Sequence, residues 1–132
     1  KEDITMPALL KKAIGEIGVV SFDEQASRIR VEFDAREEFL HGGGVIQGGF
    51  VTAWIDSAMA YEVHRKTNYA LTLLSLELKI SFLNPTFTGR VFAEAWIERM
   101  GKSVAFLEGH LLNEAGDVLA KGSSTVKLFP MK

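Results

Sequence analysis

Hydrophobic and polar positions change period along the chain. From Arg28 to Phe33 they alternate, with Ile29, Val31 and Phe33 facing one way and Arg30 and Glu32 the other. That period of two predicts a half-covered strand. A shorter apolar run, Gly18 to Phe22, comes before it, and the polar Asp23-Glu24-Gln25 between them suits a hairpin turn. Between Gly48 and Arg65 the alternation stops. Phe50, Val51, Ala53, Trp54, Ile55, Ala58, Met59, Ala60 and Val63 fall on every side of a helical wheel. A helix apolar all round is a buried helix, and Thr67-Asn68 ends this one.

Alternation then returns for four strands. Leu74, Leu76, Leu78, Ile80 and Phe82 are predicted to face away from Ser75, Glu77, Lys79 and Ser81. Val91, Ala93, Ala95 and Ile97 oppose Phe92, Glu94, Trp96 and Glu98, and two more strands run over Val104 to Leu112 and Val118 to Leu128. Asn84-Pro85 with Thr88-Gly89, Met100-Gly101-Lys102 and the stretch from Asn113 to Asp117 supply the turns. Such short turns predict that successive strands are antiparallel neighbours. Ahead of the first strand, residues 5–14 read as a short helix capped by Thr5 and stopped by Gly15. The predicted class is α+β: a curled antiparallel sheet around one long buried helix, with a short N-terminal helix.

Composition narrows the function. The 132 residues, 47% hydrophobic, suit one domain over residues 1–132, with enough buried surface for a core. Cys is absent, which excludes disulfides, thiolate metal sites and a cysteine nucleophile. A formal charge of −2 leaves no electrostatic footprint for nucleic acid. No apolar run is long enough to span a bilayer. The mixed charge of the first twelve residues is unlike a secretory signal, and the first residue is Lys1 rather than Met, which points to a trimmed or processed start. A cytoplasmic protein without nucleic-acid or membrane partners is the expectation.

Residues 41–56 read HGGGVIQGGFVTAWID, and five of the chain's 12 glycines lie there. So much glycine before a buried helix means that the backbone bends sharply or something approaches it closely. A phosphate loop would need a following Gly-Lys-Ser/Thr, which is missing. A dinucleotide fingerprint would need Gly where Gln47 stands. What remains is a helix N-terminus offering bare N–H groups to a developing oxyanion. Asp56 is the anomaly, the sole charged residue between His41 and Glu62 and set in an apolar helix. A carboxylate there costs several kcal/mol unless it is paired or hydrogen-bonded. It is either a structural carboxylate, bonded to backbone or tying subunits together, or a catalytic one.

The segment resembles the active-site signature of hotdog-fold acyl-CoA thioesterases, of the phenylacetate-pathway and Arthrobacter-type 4-hydroxybenzoyl-CoA kinds. His41, Gly44, Gln47, Gly48, Gly49 and Asp56 stand at the spacings of that signature, and the order of elements also agrees. The resemblance implies roles. Asp56 becomes the general base or nucleophile, and Gly48 the N–H that polarises the acyl carbonyl. His41 takes the place of an amide that helps hold the carbonyl or water, and Ser75 that of a hydroxyl that positions the water. Gly49 and Thr52 would line the substrate, which is an acyl-CoA; no other cofactor or metal is implied. Gln47 replaces the motif His and can donate and accept hydrogen bonds but cannot take a proton.

Thioester hydrolysis needs little more than a base and an oxyanion donor. Asp56 and Gly48 are eight residues apart, roughly 12 Å along one helix, whereas both must come within about 3 Å of one reacting group. A shared site is therefore expected, in a homodimer or a dimer of dimers. Lys102 and Ser103, beside the Gly101 turn, are candidates for a CoA phosphate. His64 reads as a partner of the helix end and His110 as a packed or surface residue, and the three His lack metal-ligand spacing. Trp54 and Trp96 read as core or interface. Ser57 lacks the elbow of a serine hydrolase. Two other functions compete. One is a hotdog dehydratase pairing His41 with Asp56, although glycine stands where that group has a Pro-rich segment. The other is an acyl-CoA binding protein without turnover.

Overall fold

The computed structural model describes residues 5–132. The chain order is α1 (Ala8–Ile14), β1 (Glu16–Asp23), β2 (Arg28–Ala35), a 3₁₀ turn (Glu37–Phe39), α2 (Gly48–Lys66), β3 (Leu71–Phe82), β4 (Gly89–Met100), β5 (Val104–Asn113) and β6 (Val118–Pro130). The six strands make one antiparallel sheet in the order β1-β2-β4-β5-β6-β3. The α+β class and the helix inserted after the second strand agree with the sequence pattern.

Helix α2 lies across the concave face of the sheet. Trp54, Ile55, Ala58, Met59 and Val63 are fully buried against Val31, Phe33, Ala93, Ala95, Leu107 and Val126. Two sheet glycines bring helix and strands together. A Cβ on Gly109 or Gly122 would sit 3.2 or 3.0 Å from Cγ2 of Ile55, closer than nearly all real contacts. Trp54 is core, and its Nε1 donates to the Ile14 carbonyl at 2.7 Å, pinning α2 to the end of α1. Trp96 lies on the outer face of the sheet under the Arg28 guanidinium. The opposite face of α2, with Gly49, Thr52, Ala53, Asp56 and Ala60, is not covered by the sheet and is part-exposed.

Three expectations are corrected. Thr5 does not cap α1. The helix begins at Ala8 after Pro7, and the Thr5 hydroxyl pairs with Nδ1 of His64 at 2.7 Å. Among the four strands after α2, successive members pair except at one point: β3 does not pair with β4 but with β6, at the far edge of the sheet. The reason lies in the six residues Leu83 to Thr88, which make no tight turn. They cross the end of α2, where Thr86 is buried and its carbonyl accepts from Ile46 N at 2.8 Å.

The third correction concerns β3 itself. Ser75 pairs with Val126 and Glu77 with Thr125, so Leu76 is an extra residue, a β-bulge. One inserted residue exchanges the two faces of a strand. Ser75 therefore shares the concave face with Leu73, Leu78, Ile80 and Phe82, and does not face outward with Glu77 and Lys79 as strict alternation predicts.

Candidate active site

The start of α2 is fixed by its approach. Leu40 and Ile46 form a bridge that closes His41–Val45 into a tight loop, and Gly44 in it has φ of +81°. Within the loop His41 N donates to the Val45 carbonyl at 2.9 Å and Gly44 N to the His41 carbonyl at 3.0 Å. Gln47 N is bonded to the Phe39 carbonyl at 2.9 Å, and Gln47, in extended conformation, is the residue from which the helix starts. The first amides of an α-helix have no acceptor within it. Here those amides belong to Gly48 and Gly49, and the positive end of the helix dipole adds to their pull on negative charge.

Gly48 borders a cleft of about 370 Å³ between this loop and the crossing segment Leu83–Thr88. The ring of Phe82 lies on Gly48: a Cβ there would be 3.1 Å from the ring. Gly49 leaves room for the Gln47 amide, whose Oε1 would be 3.0 Å from a Cβ at that position. Gln47 thus folds back over the helix start, and its amide can assist a carbonyl held there.

Two turns further on, Asp56 points out of the uncovered helix face. The Ser75 hydroxyl donates to its Oδ1 at 3.4 Å, a contact that exists because the Leu76 bulge turns Ser75 inward. Burial pushes the Asp56 carboxyl above its ordinary value, and the Ser75 hydrogen bond opposes this only in part. A carboxylate held so is a better proton acceptor than an ordinary surface aspartate. Thr52, one turn before it, donates its hydroxyl to the Gly48 carbonyl at 2.9 Å.

Of the other residues singled out by sequence, His41 is exposed and its Nδ1 accepts from Gly43 N at 2.9 Å. Its ring is turned into its own loop, and no contact joins it to Asp56. Lys102 and Ser103 are exposed in the β4–β5 turn, with the Ser103 carbonyl accepting from Leu128 N at 2.8 Å. His64 is buried between Thr5 and Thr72, and His110 is paired with Glu94 at 2.7 Å, so both serve packing and pairing. Among the described residues no group of three or more His, Asp or Glu is arranged to hold a metal ion, and no helix is long and apolar enough to cross a membrane. The sequence reading missed the cleft, whose signal was the apolar run Phe82-Leu83 ahead of Asn84-Pro85. It also missed Glu62, fully buried and chelated by Arg65 at 3.0 and 2.5 Å.

Comparison with known proteins places this geometry. Residues 43–120 match the family model described as the thioesterase superfamily. A protein of Saccharolobus solfataricus named as an esterase is 30% identical over 106 residues, 80% of this chain and 74% of that protein. A phenylacetic acid degradation-related protein of Ralstonia eutropha JMP134 superposes with a TM-score of 0.84 at 26% identity, over 92% of this chain and 90% of that one. A Streptococcus mutans protein solved with acetyl-CoA bound superposes at 0.76 with 16% identity, over 87% and 90% of the two chains.

Proposed function

The chain belongs to the thioesterase superfamily and is a hotdog-fold thioester hydrolase, and from that premise we propose that it hydrolyses an acyl-CoA at a site shared between two protomers. The observation that carries this reading is the division of labour along α2. Gly48 presents its amide beside a cleft, and Asp56, eight residues on, presents a carboxylate on an uncovered face. Roughly 12 Å of helix separates them, so they cannot act on one carbonyl from one chain.

A second copy with its α2 antiparallel supplies the missing half to each site. The uncovered face suits that approach, being made of Gly49, Thr52, Ala53, Asp56 and Ala60, small side chains that let two helices come close. Beside it the free edge of β3 carries Leu74 and Leu76, 54% and 57% exposed, a liability for a lone protomer and an interface for a pair. The assembly is a dimer, or two such dimers together.

The chemistry follows from the groups. The thioester carbonyl oxygen takes the Gly48 amide of one protomer, with the Gln47 amide beside it. Asp56 of the other, with Ser75, holds a water and removes its proton as it attacks. The tetrahedral oxyanion is stabilised by the amide and the helix dipole. Its collapse expels the CoA thiolate, which takes up a proton, and releases the free acid. Nothing beyond the chain's own groups, a water and the CoA carried by the substrate is needed. The acetyl-CoA bound by the Streptococcus mutans protein supports CoA as the carrier, with Lys102 and Ser103 exposed as contacts for its phosphates. Dehydration is less well supported, since the His41 ring is engaged in its own loop rather than with Asp56.

Complementation tests the shared site. Asp56→Asn is expected to lower thiol release at least ~100-fold, the worth of a positioned base, and Gly48→Pro to do so by removing the amide. Unfolded and refolded together, the two inactive parents form mixed dimers with one intact site. Random pairing returns about a quarter of wild-type sites. No recovery, with mixed dimers shown by native mass spectrometry, overturns the shared site.

A further inference from the structure

The cleft borders Gly48, so a group attached to a carbonyl held by that amide has this space beside it. Resting on the hydrolase reading above, we infer that this cleft takes the acyl group, that it selects uncharged hydrocarbon acyl groups, and that the Phe82 ring sets their size.

The walls carry the first two points. Val45, Ile46, Val51, Phe82, Leu83 and Pro85 give carbon surface, and no ionisable side chain lines the cleft. Of the two polar residues, Asn84 donates its Nδ2 to the Val118 carbonyl at 2.9 Å, and Thr86 is buried, with its carbonyl accepting from Ile46 N. A dicarboxylic acyl group would bring its free carboxylate into this cleft without a cation, at a large desolvation penalty. A pantetheine arm, with two amides, would lose hydrogen bonds to water and find few replacements. An alkyl or aryl group loses nothing polar and gains by burial. At about 370 Å³ the cleft lies in the range of small-molecule sites.

Phe82 carries the third. It is the last residue of β3, an edge strand, and is 56% exposed although its ring lies on Gly48. It lies against the glycine and lines the cleft, where its bulk limits what passes the amide. A Cβ at position 48 would press on the ring at 3.1 Å, so the residue that supplies the amide also seats the ring.

Non-hydrolysable thioether analogues of acetyl-, butyryl-, octanoyl-, phenylacetyl- and succinyl-CoA test this by calorimetry, with thiol release from the matching esters measured beside them. The wild-type protein is expected to favour butyryl over succinyl by at least ~100-fold, as an unpaired buried charge demands. Phe82→Ala is expected to raise the octanoyl-to-butyryl ratio about 10-fold, and Val45→Trp, which fills the cleft, to lower it by as much. Equal binding of succinyl and butyryl groups, unchanged ratios in both folded variants, or no binding of any analogue overturns the inference. The succinyl comparison needs no variant, so a failure of either variant to fold leaves the test intact. The hydrolase reading fails separately, if analogue ratios shift as stated while no ester releases thiol.

Discussion

The two ends of the proposed catalytic pair are built differently. At Gly48 the reacting group is main chain, and everything around it is in place within one protomer: the bridged loop, the Gln47 amide, the Phe82 ring and the cleft. At Asp56 the reacting group is a side chain with one hydroxyl for company and a part-exposed setting. The first half is complete within one chain, and the second is the half that the proposed dimer completes with a second copy. The helix joins them at a fixed length. A binding half can be made complete in one chain because it needs only backbone and shape. A base must be reached by a substrate seated elsewhere, so its surroundings stay open.

The sharpest way to break this comparison is to remove the amide without disturbing the helix. Gly48 is the first helical residue, where Pro is well tolerated, and Gln47 before it has ψ of 136°, a conformation that precedes Pro readily. Gly48→Pro is expected to fold and to lose about 10²- to 10³-fold in kcat, the usual worth of one oxyanion donor. Gly48→Ala keeps the N–H and adds only the Cβ that presses on Phe82, so it isolates the steric part and is expected to retain far more activity. Equal losses in the two variants would show that shape, not the amide, matters there.

A smaller effect sharpens the other half. As the proposed base, Asp56 works only when ionised, so activity is expected to rise with pH through its pKa. Burial has raised that pKa, which places the acid limb of the pH–rate profile above the ordinary aspartate range. The Ser75 hydrogen bond lowers the pKa, so Ser75→Ala is expected to move the limb further up. It should also reduce kcat/KM by about 2- to 10-fold, the worth of one ordinary hydrogen bond. A limb that stays put or moves down would show that Ser75 does not act on Asp56.

The smallest effect is on stability. Because the folded state binds the Asp56 proton more tightly than the unfolded chain, the ionised carboxylate opposes folding at neutral pH. This opposition fades as pH falls through the raised pKa. Asp56→Asn is therefore expected to melt about 2–4 °C higher at pH 7 while losing activity. The gap should narrow on acidification. A lower melting temperature at pH 7 would mean that the carboxylate holds the structure together rather than serving chemistry.

Much of this was legible in the sequence, for physical reasons that differ by region. The long helix and the strands of the sheet show because their periods are set by burial, and Asp56 shows because charge is rare in such a helix. The glycine segment shows because only close approach or sharp bends reward that composition. Two things stayed hidden. The partner of β3 is chosen by the path of Leu83–Thr88 over the helix end, a long-range matter that no local pattern carries. The inward turn of Ser75 depends on the bulge at Leu76, and Leu-Ser-Leu-Glu-Leu reads as plain alternation either way. Ser75 was reached through family resemblance, not through its own strand pattern.

The glycines under Ile55 set a height. Gly109 and Gly122 lie on β5 and β6, one residue of helix away from Asp56, and their missing side chains let α2 settle as low as it does. A methyl group at either place would act as a shim. It would lift the middle of the helix off the sheet and stretch the distance between the Asp56 carboxylate and the Ser75 hydroxyl on β3. Two positions with no chemistry of their own thus calibrate the distance between the Asp56 carboxylate and the Ser75 hydroxyl.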